Sequence, residues 1–97
     1  MIKVLLDAQL KSESLEESYQ GVHDTLIETR EFAGAISIEV LIDQADAAHL
    51  IVLETWESAA HHDAYTAWRA GDGKPTKLLA VIATPPTTSV FAEAPEI

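Results

Sequence analysis

The sequence predicts an α+β fold of the ferredoxin-like type, whose elements follow the order β-α-β-β-α-β. Two observations predict it. Four segments have the alternating or β-branched apolar residues of strands, and two segments have apolar residues at helical spacing. A chain of 97 residues supports one core of two layers, so residues 1–97 are expected to form a single domain.

The first half of the chain contains a strand, a helix and a second strand. Residues 2–10 alternate between apolar and mostly polar side chains, which predicts a strand with one apolar face. Ser12 or Ser14 is expected to cap a helix that ends near residues 30–32. Residues 35–43 alternate cleanly and predict the next strand.

The following segment predicts a hairpin partner and the second helix. Residues 49–57 are rich in β-branched and apolar side chains, which favours a strand paired with the preceding one. Ser58 is expected to cap a helix over residues 59–70, because serine at this position accepts a backbone hydrogen bond.

The end of the chain predicts a last strand within residues 78–93, interrupted by the Pro85–Pro86 pair. Two prolines donate no ladder hydrogen bonds, so this strand is expected at an edge or a bend of the sheet. The tail, residues 92–97, is expected to be loose.

Composition excludes several function classes. The chain has 6 basic and 16 acidic residues and a net charge of −10, so no basic surface is available for nucleic acid or for an anionic membrane. It has no cysteine, which excludes thiolate chemistry. No stretch has the length of a signal peptide core or a membrane span, and a cytoplasmic location is expected.

Association with a second copy is also predicted. Two helices cover only one face of a four-stranded sheet, and the other face carries apolar residues among its polar ones. Two copies that pack sheet to sheet would cover this face, so the protein is expected to form a homodimer.

The stretch from Glu54 to Ser58 carries a resemblance to a known family. Glu54-x-Trp56-x-Ser58 at the end of a strand, followed by an aromatic-rich helix with the sequence AYTAWR, resembles the antibiotic biosynthesis monooxygenase superfamily. The resemblance implies a dimeric α+β barrel, with the last strand exchanged or leaning onto the partner. Members of the superfamily include cofactor-free oxygenases of anthrones and quinols, haem-degrading enzymes and an isomerase, so the fold does not fix the reaction.

Departures from the family pattern narrow this choice. The common helix motif has a histidine where this chain has Tyr65. Haem-degrading members carry an asparagine in the first strand, where this chain has Leu6, Asp7 and Ala8, and a haem-ligating histidine near the place of Pro75. A haem-degrading function is therefore disfavoured, and no cofactor is expected.

The second helix contains the main candidate residues. Positions i, i+4 and i+7 share a helix face, so His61, Tyr65 and Trp68 form one stripe that is expected to point inward. His62 and Arg69 lie on the neighbouring stripe, and His62 is expected to be solvated. Adjacent helical residues are about 100° apart, so the two histidines are not expected to form a metal site.

Cofactor-free oxygenation requires a base that deprotonates the substrate and a partner for the substrate oxygen. His61 is the first candidate base because the pKa of a free histidine lies near neutrality, and His23 is the second. Tyr65 or Tyr19 is the candidate partner of the substrate oxygen. The alternative is a partly exposed His61 without catalytic function, hydrogen-bonded to water or to a carboxylate.

Three further residues are candidates for substrate binding. Trp68 and Trp56 offer aromatic faces, although core filling is the favoured explanation for Trp68, as it is for Tyr65 taken alone. Arg69 is expected either to hold an anionic substrate group or to pair with an acidic side chain, for example Asp72 or Asp63. Glu54 shares a strand face with Trp56, and a structural role is favoured for it because a buried carboxylate needs a partner.

Three functional hypotheses follow. The first is a cofactor-independent monooxygenase that acts on a small aromatic or quinol-like compound. The second is a non-enzymatic homodimer that binds a small molecule in the same pocket, and the third is a structural homodimer with a filled core. A cavity between the helices and the sheet would favour the first two over the third.

Overall fold

The computed structural model describes residues 1–97 and confirms the ferredoxin-like prediction, with one additional short helix. No helix in it combines the length and the apolar character that crossing a membrane requires. The elements, in chain order, are β1 (Ile2–Gln9), α1 (Leu15–Glu31), β2 (Ala35–Asp43), β3 (Asp46–Trp56), α2 (Ala59–Ala70), α3 (Thr76–Leu79) and β4 (Thr87–Ala92).

The sheet has the strand order β2-β3-β1-β4, and all neighbouring strands are antiparallel. β1 lies in the interior and pairs with β3 from Ile2–Trp56 to Gln9–His49. β2 and β3 form the predicted hairpin, and β3 begins at Asp46 rather than at residue 49. The two edge strands are β2 and β4.

The core lies between α1 and one face of the sheet. Apolar residues of β1 and β3 alternate toward this face because strand side chains have a period of two. Its buried members are Leu10, Val22, Leu26, Ala48, Leu50 and Val52. Ser14 caps α1 by accepting a hydrogen bond from the Glu17 backbone N–H, which selects Ser14 over Ser12.

No helix covers the opposite face of the sheet. Leu5 lies opposite Leu53 and Leu41 lies opposite Ile51 on this face, as the register requires. Leu41 is 46% exposed and Phe91 is 51% exposed. This face therefore carries apolar side chains among its polar ones, as the sequence predicted.

A histidine bridges two carboxylates at one end of this uncovered face. The Nδ1 atom of His49 lies 2.9 Å from Asp43 Oδ2, and its Nε2 atom lies 2.8 Å from Asp7 Oδ1. Both nitrogens can donate only when the ring is protonated. Hydrogen bonds to Asp43 and Asp7 accordingly raise the pKa of His49 above its ordinary value.

The segment before β4 differs from its prediction. Residues 76–79 form the helix α3, and Ile82 makes only an isolated bridge with Leu10. Regular pairing with β1 begins at Thr87, directly after the two prolines, because proline cannot donate to a ladder. β4 ends at Ala92, which pairs with Ile2, within the range predicted for the last strand.

Candidate functional site

A cavity of about 460 Å³ lies between the sheet and the helices α1, α2 and α3. Its volume is within the range of small-molecule sites. The sheet contributes apolar side chains, including Val4, Leu6 and Val90. The polar side chains that line it are Thr25, Glu54, His62, Asp63, Tyr65, Thr66, Arg69 and Thr88.

Glu54 places a buried carboxyl group in this cavity. It lies on the helix-facing side of β3, opposite Val4 on β1 and Ile38 on β2, and is 7% exposed. The indole N–H of Trp56 donates to its Oε1 atom at 2.8 Å and fixes the carboxyl orientation. The Oε2 atom accepts no hydrogen bond from the protein and is not sealed off from solvent.

The environment of Glu54 changes its proton affinity. Burial raises the pKa of Glu54 above its ordinary value, because an apolar surrounding disfavours the charged form. The hydrogen bond from Trp56 opposes this rise in the pKa, and so do the nearby side chains of His62 and Arg69. A carboxyl group whose pKa is shifted toward neutrality inside a cavity is typical of proton-transfer sites.

His62, and not His61, lines the cavity with Glu54. Its side chain is buried, at 8% exposure, so the prediction that it is solvated is wrong. The ring packs edge-on against Trp56, with centroids 5.4 Å apart. Neither ring nitrogen bonds a protein group, and neither is sealed off from solvent. The imidazole is therefore available to a ligand.

His61 points to the other side of α2. Its Nδ1 atom lies 2.7 Å from Ser58 Oγ, and its Nε2 atom lies 3.5 Å from a Glu57 carboxylate oxygen. The ring lies against the backbone of Gly34, where an added Cβ would come within 2.4 Å of the His61 side chain. The structure thus places the predicted base outside the cavity, next to the helix cap.

Tyr65 lines the cavity, but its hydroxyl group is engaged elsewhere. Arg69 Nε donates to Tyr65 Oη at 2.8 Å, and Thr29 Oγ1 lies 2.7 Å from the same oxygen. Thr29 donates in turn to the carbonyl oxygen of Thr25 at 3.4 Å, which leaves its oxygen as the acceptor for the Tyr65 proton. A ligand in the cavity can therefore contact the ring of Tyr65, whereas the hydroxyl proton is already engaged by Thr29.

Arg69 also lines the cavity and is 10% exposed. Besides Tyr65, its guanidinium donates to Glu28 at 3.3 Å and to the Gly73 carbonyl oxygen at 3.0 Å. It further donates to Thr25 O at 2.8 Å and to Thr29 Oγ1 at 3.1 Å. Arg69 therefore pairs with an acidic side chain, as predicted, but the partner is Glu28 on α1 and not Asp72 or Asp63.

The remaining aromatic candidates belong to a packed cluster behind the cavity. Trp56 is fully buried, and its ring centroid lies 4.9 Å from that of Tyr65. Trp68 packs against Phe32, with centroids 5.3 Å apart, and fills the space beside Gly73. Neither tryptophan lines the cavity; Trp56 reaches it only through the hydrogen bond to Glu54.

Tyr19 and His23 lie elsewhere, on α1. They line a separate open groove of about 280 Å³ between α1 and the edge strand β2. The Tyr19 hydroxyl donates to the Ala47 carbonyl oxygen, and the His23 side chain is 64% exposed. The structure therefore does not bring these two residues together with Tyr65.

Comparison with known proteins places the chain among its relatives. The family model described as antibiotic biosynthesis monooxygenase matches residues 1–70. The chain belongs to the antibiotic biosynthesis monooxygenase family. The matched residues include Glu54, His62 and Tyr65, whereas α3 and β4, which close one side of the cavity, lie beyond them.

Solved structures share the fold of this family member at low identity. SnoaB, a cofactor-independent oxygenase from Streptomyces nogalater, is 11% identical, with 96% of this chain and 92% of that chain covered and a TM-score of 0.81. A conserved protein from Methanosarcina mazei Go1 is 20% identical, with coverages of 96% and 92% and a TM-score of 0.78. Rv0793 from Mycobacterium tuberculosis is 14% identical, with coverages of 98% and 96% and a TM-score of 0.76. A search of curated proteins finds no significant match.

Proposed function

We propose that this family member is a cofactor-independent monooxygenase that acts on a small aromatic or quinol-like compound. One observation carries the proposal: the buried carboxyl group of Glu54 and the buried imidazole of His62 face one cavity with apolar walls. One carboxyl oxygen of Glu54 and both ring nitrogens of His62 make no hydrogen bond to the protein. Family membership supports an oxygenase, and the fold is shared with the cofactor-independent oxygenase SnoaB.

In the proposed reaction, Glu54 Oε2 or a ring nitrogen of His62 accepts a proton from the substrate. The resulting phenolate or carbanion transfers an electron to dioxygen, and a bond forms between the substrate carbon and one oxygen atom. The second oxygen atom leaves as water with two hydrogens of the substrate, so one carbon becomes a carbonyl. The raised pKa of Glu54 favours this proton transfer because it brings the base closer to neutral pH.

The neighbouring side chains orient this pair. The indole N–H of Trp56 keeps one carboxyl oxygen of Glu54 occupied, so the other is presented to the cavity. The ring of Tyr65 forms an aromatic wall, held in place by Arg69 and Thr29. Apolar walls limit the water that would compete for the substrate anion.

Oxygen consumption tests the proposal. The purified protein is supplied with a panel of hydroquinones and anthrones, without added metal or flavin, and uptake is followed with an oxygen electrode. Glu54→Gln or His62→Gln should lower the rate by about 100-fold or more, as expected for the loss of a general base. His61→Gln, the matched control on the adjacent position, should change the rate little. No uptake by the unchanged protein, or an equal loss in His61→Gln, would contradict the proposal, and ligand binding without uptake would favour the non-enzymatic alternative.

We further propose that two copies pack through the uncovered sheet face. The apolar side chains of this face, which include Leu5, Leu41, Ile51 and Leu53, would form the core of this sheet-to-sheet interface. The cavity lies on the opposite, helix-covered face, so this association leaves its lining side chains accessible.

A further inference from the structure

We infer that the cavity selects uncharged ligands that carry hydroxyl groups and discriminates against carboxylates. The inference rests on the proposed function and names its substrate class. It follows from the charge and the hydrogen bonds of the polar side chains that line the cavity. Arg69 is the one arginine among them, and no lysine lines the cavity.

Arg69 has no N–H group left for a ligand. A guanidinium carries five N–H donors. One donates to Tyr65 Oη, two donate to Glu28 and the Gly73 carbonyl oxygen, and two donate to Thr25 O and Thr29 Oγ1. An anionic ligand group would have to displace at least one of these bonds, so the site cannot offer it the forked contact that arginine usually gives a carboxylate.

The available polar groups are mainly acceptors. Glu54 Oε2 receives no hydrogen bond from the protein, and the carboxylate of Asp63 makes neither a hydrogen bond nor an ion pair. A ligand hydroxyl can donate to either group, whereas a ligand carboxylate has no hydrogen to donate and would face the negative charge of Asp63. The threonine hydroxyls in the lining can donate, but they carry no charge to offset this repulsion.

The charge of the whole chain acts in the same direction. Sixteen acidic residues against six basic ones give a net charge of −10. The summed field of such a chain lowers the local concentration of anionic ligands and leaves that of neutral ligands unchanged. Because Asp63 is exposed at the mouth of the cavity, its part of this effect should decrease as salt is added.

A matched pair of ligands tests the inference. The affinities of 1,4-dihydroxynaphthalene and of its 2-carboxylate are measured by isothermal titration calorimetry under nitrogen, so that binding is read without oxidation. The carboxylate should bind at least about tenfold more weakly at low salt, as expected for one like-charge contact in a partly buried site. Raising the ionic strength should narrow this difference.

Two charge-reversing variants locate the effect. Asp63→Lys should strengthen binding of the carboxylate by about tenfold and leave the affinity of the neutral diol nearly unchanged. Asp72→Lys is the matched control, because Asp72 is also exposed near the end of α2 but does not line the cavity. Its effect on carboxylate binding should be small.

Three results would overturn the inference: equal affinity for the two compounds, equal effects of the two lysine variants, or no binding of the neutral diol. Binding that follows the expected pattern without any oxygen uptake in air would instead contradict the proposed oxygenase function and leave the ligand class supported. The calorimetric and oxygen-electrode measurements therefore separate the two proposals.

Discussion

Replacing Arg69 by lysine tests whether one guanidinium holds α1, α2 and the loop after α2 together. Its acceptors are Thr25, Glu28 and Thr29 on α1, Tyr65 on α2 and Gly73 in the loop. Lysine keeps the positive charge but has one nitrogen with three hydrogens. It can therefore replace at most three of the five bonds, and its geometry does not match a planar fork.

The expected loss follows from these contacts. At least two hydrogen bonds to poorly solvated acceptors disappear, and each contributes about 1 kcal/mol to the free energy of unfolding. The guanidinium carbon also lies 4.6 Å from the ring centroid of Trp68, and this stacking contributes about 0.5–1 kcal/mol. Arg69→Lys should therefore lower the free energy of unfolding by about 3 kcal/mol, which corresponds to a fall in Tm of about 12–24 °C for a domain of this size.

Urea denaturation followed by far-UV circular dichroism measures this loss, at one fixed protein concentration because association would couple stability to concentration. Arg30→Lys is the matched control. Arg30 is exposed near the end of α1, donates a single hydrogen bond of 3.4 Å to the Ile38 carbonyl oxygen and has no ion pair, so its replacement should change stability by less than about 0.5 kcal/mol. A loss below about 1 kcal/mol in Arg69→Lys, or equal losses in both variants, would refute the reasoning.

Three further outcomes are expected. Because burial raises the pKa of Glu54, its contribution to stability is full below the ordinary value of 4.5 and is lost as pH rises through the folded-state pKa. Glu54→Gln should therefore become increasingly more stable than the unchanged protein as pH rises above 4.5 in urea titrations. Hydrogen bonds to two carboxylates raise the pKa of His49, so its contribution to stability is present below the unfolded-state pKa and is lost as pH rises through the folded-state pKa. His49→Gln should therefore lower stability at pH 6, and its difference from the unchanged protein should decrease as pH rises. Leu41→Glu should yield monomers in sedimentation velocity, whereas Ile42→Glu, with a similar exposure of 51% on the opposite face, should not; equal behaviour of the two would argue against the proposed interface.

Most of the fold follows from local patterns. The strand alternation in residues 2–10 and 35–43 and the serine at the start of α2 each specify their element without reference to distant residues. Ser58 indeed accepts a hydrogen bond from the His61 backbone N–H, as a cap does. The segment around α3 was predicted wrongly because a short apolar run beside prolines fits a buried strand and a helix equally well.

The site was predictable only in part. Helical periodicity shows which residues share a face of α2, but it does not show which face points toward the sheet. His61 and His62 are about 100° apart, and Tyr65 shares a face with either one. Packing decides between them: the bare backbone of Gly34 accepts the His61 ring, while His62 turns toward Trp56. That contact joins segments far apart in the sequence, so no local pattern contains it.

Glu54 did carry a signal, since the period of two places it on the same strand face as Leu50 and Val52. The sequence favours a structural role for Glu54, and replacing it by glutamine tests that expectation. A glutamine at this position would keep an oxygen for the Trp56 indole N–H and would remove the penalty of a buried charge. A purely structural carboxyl group would thus be replaced without loss, whereas a base would not. Higher stability together with lost oxygen uptake in Glu54→Gln would mark a residue that is kept for its chemistry at the expense of stability.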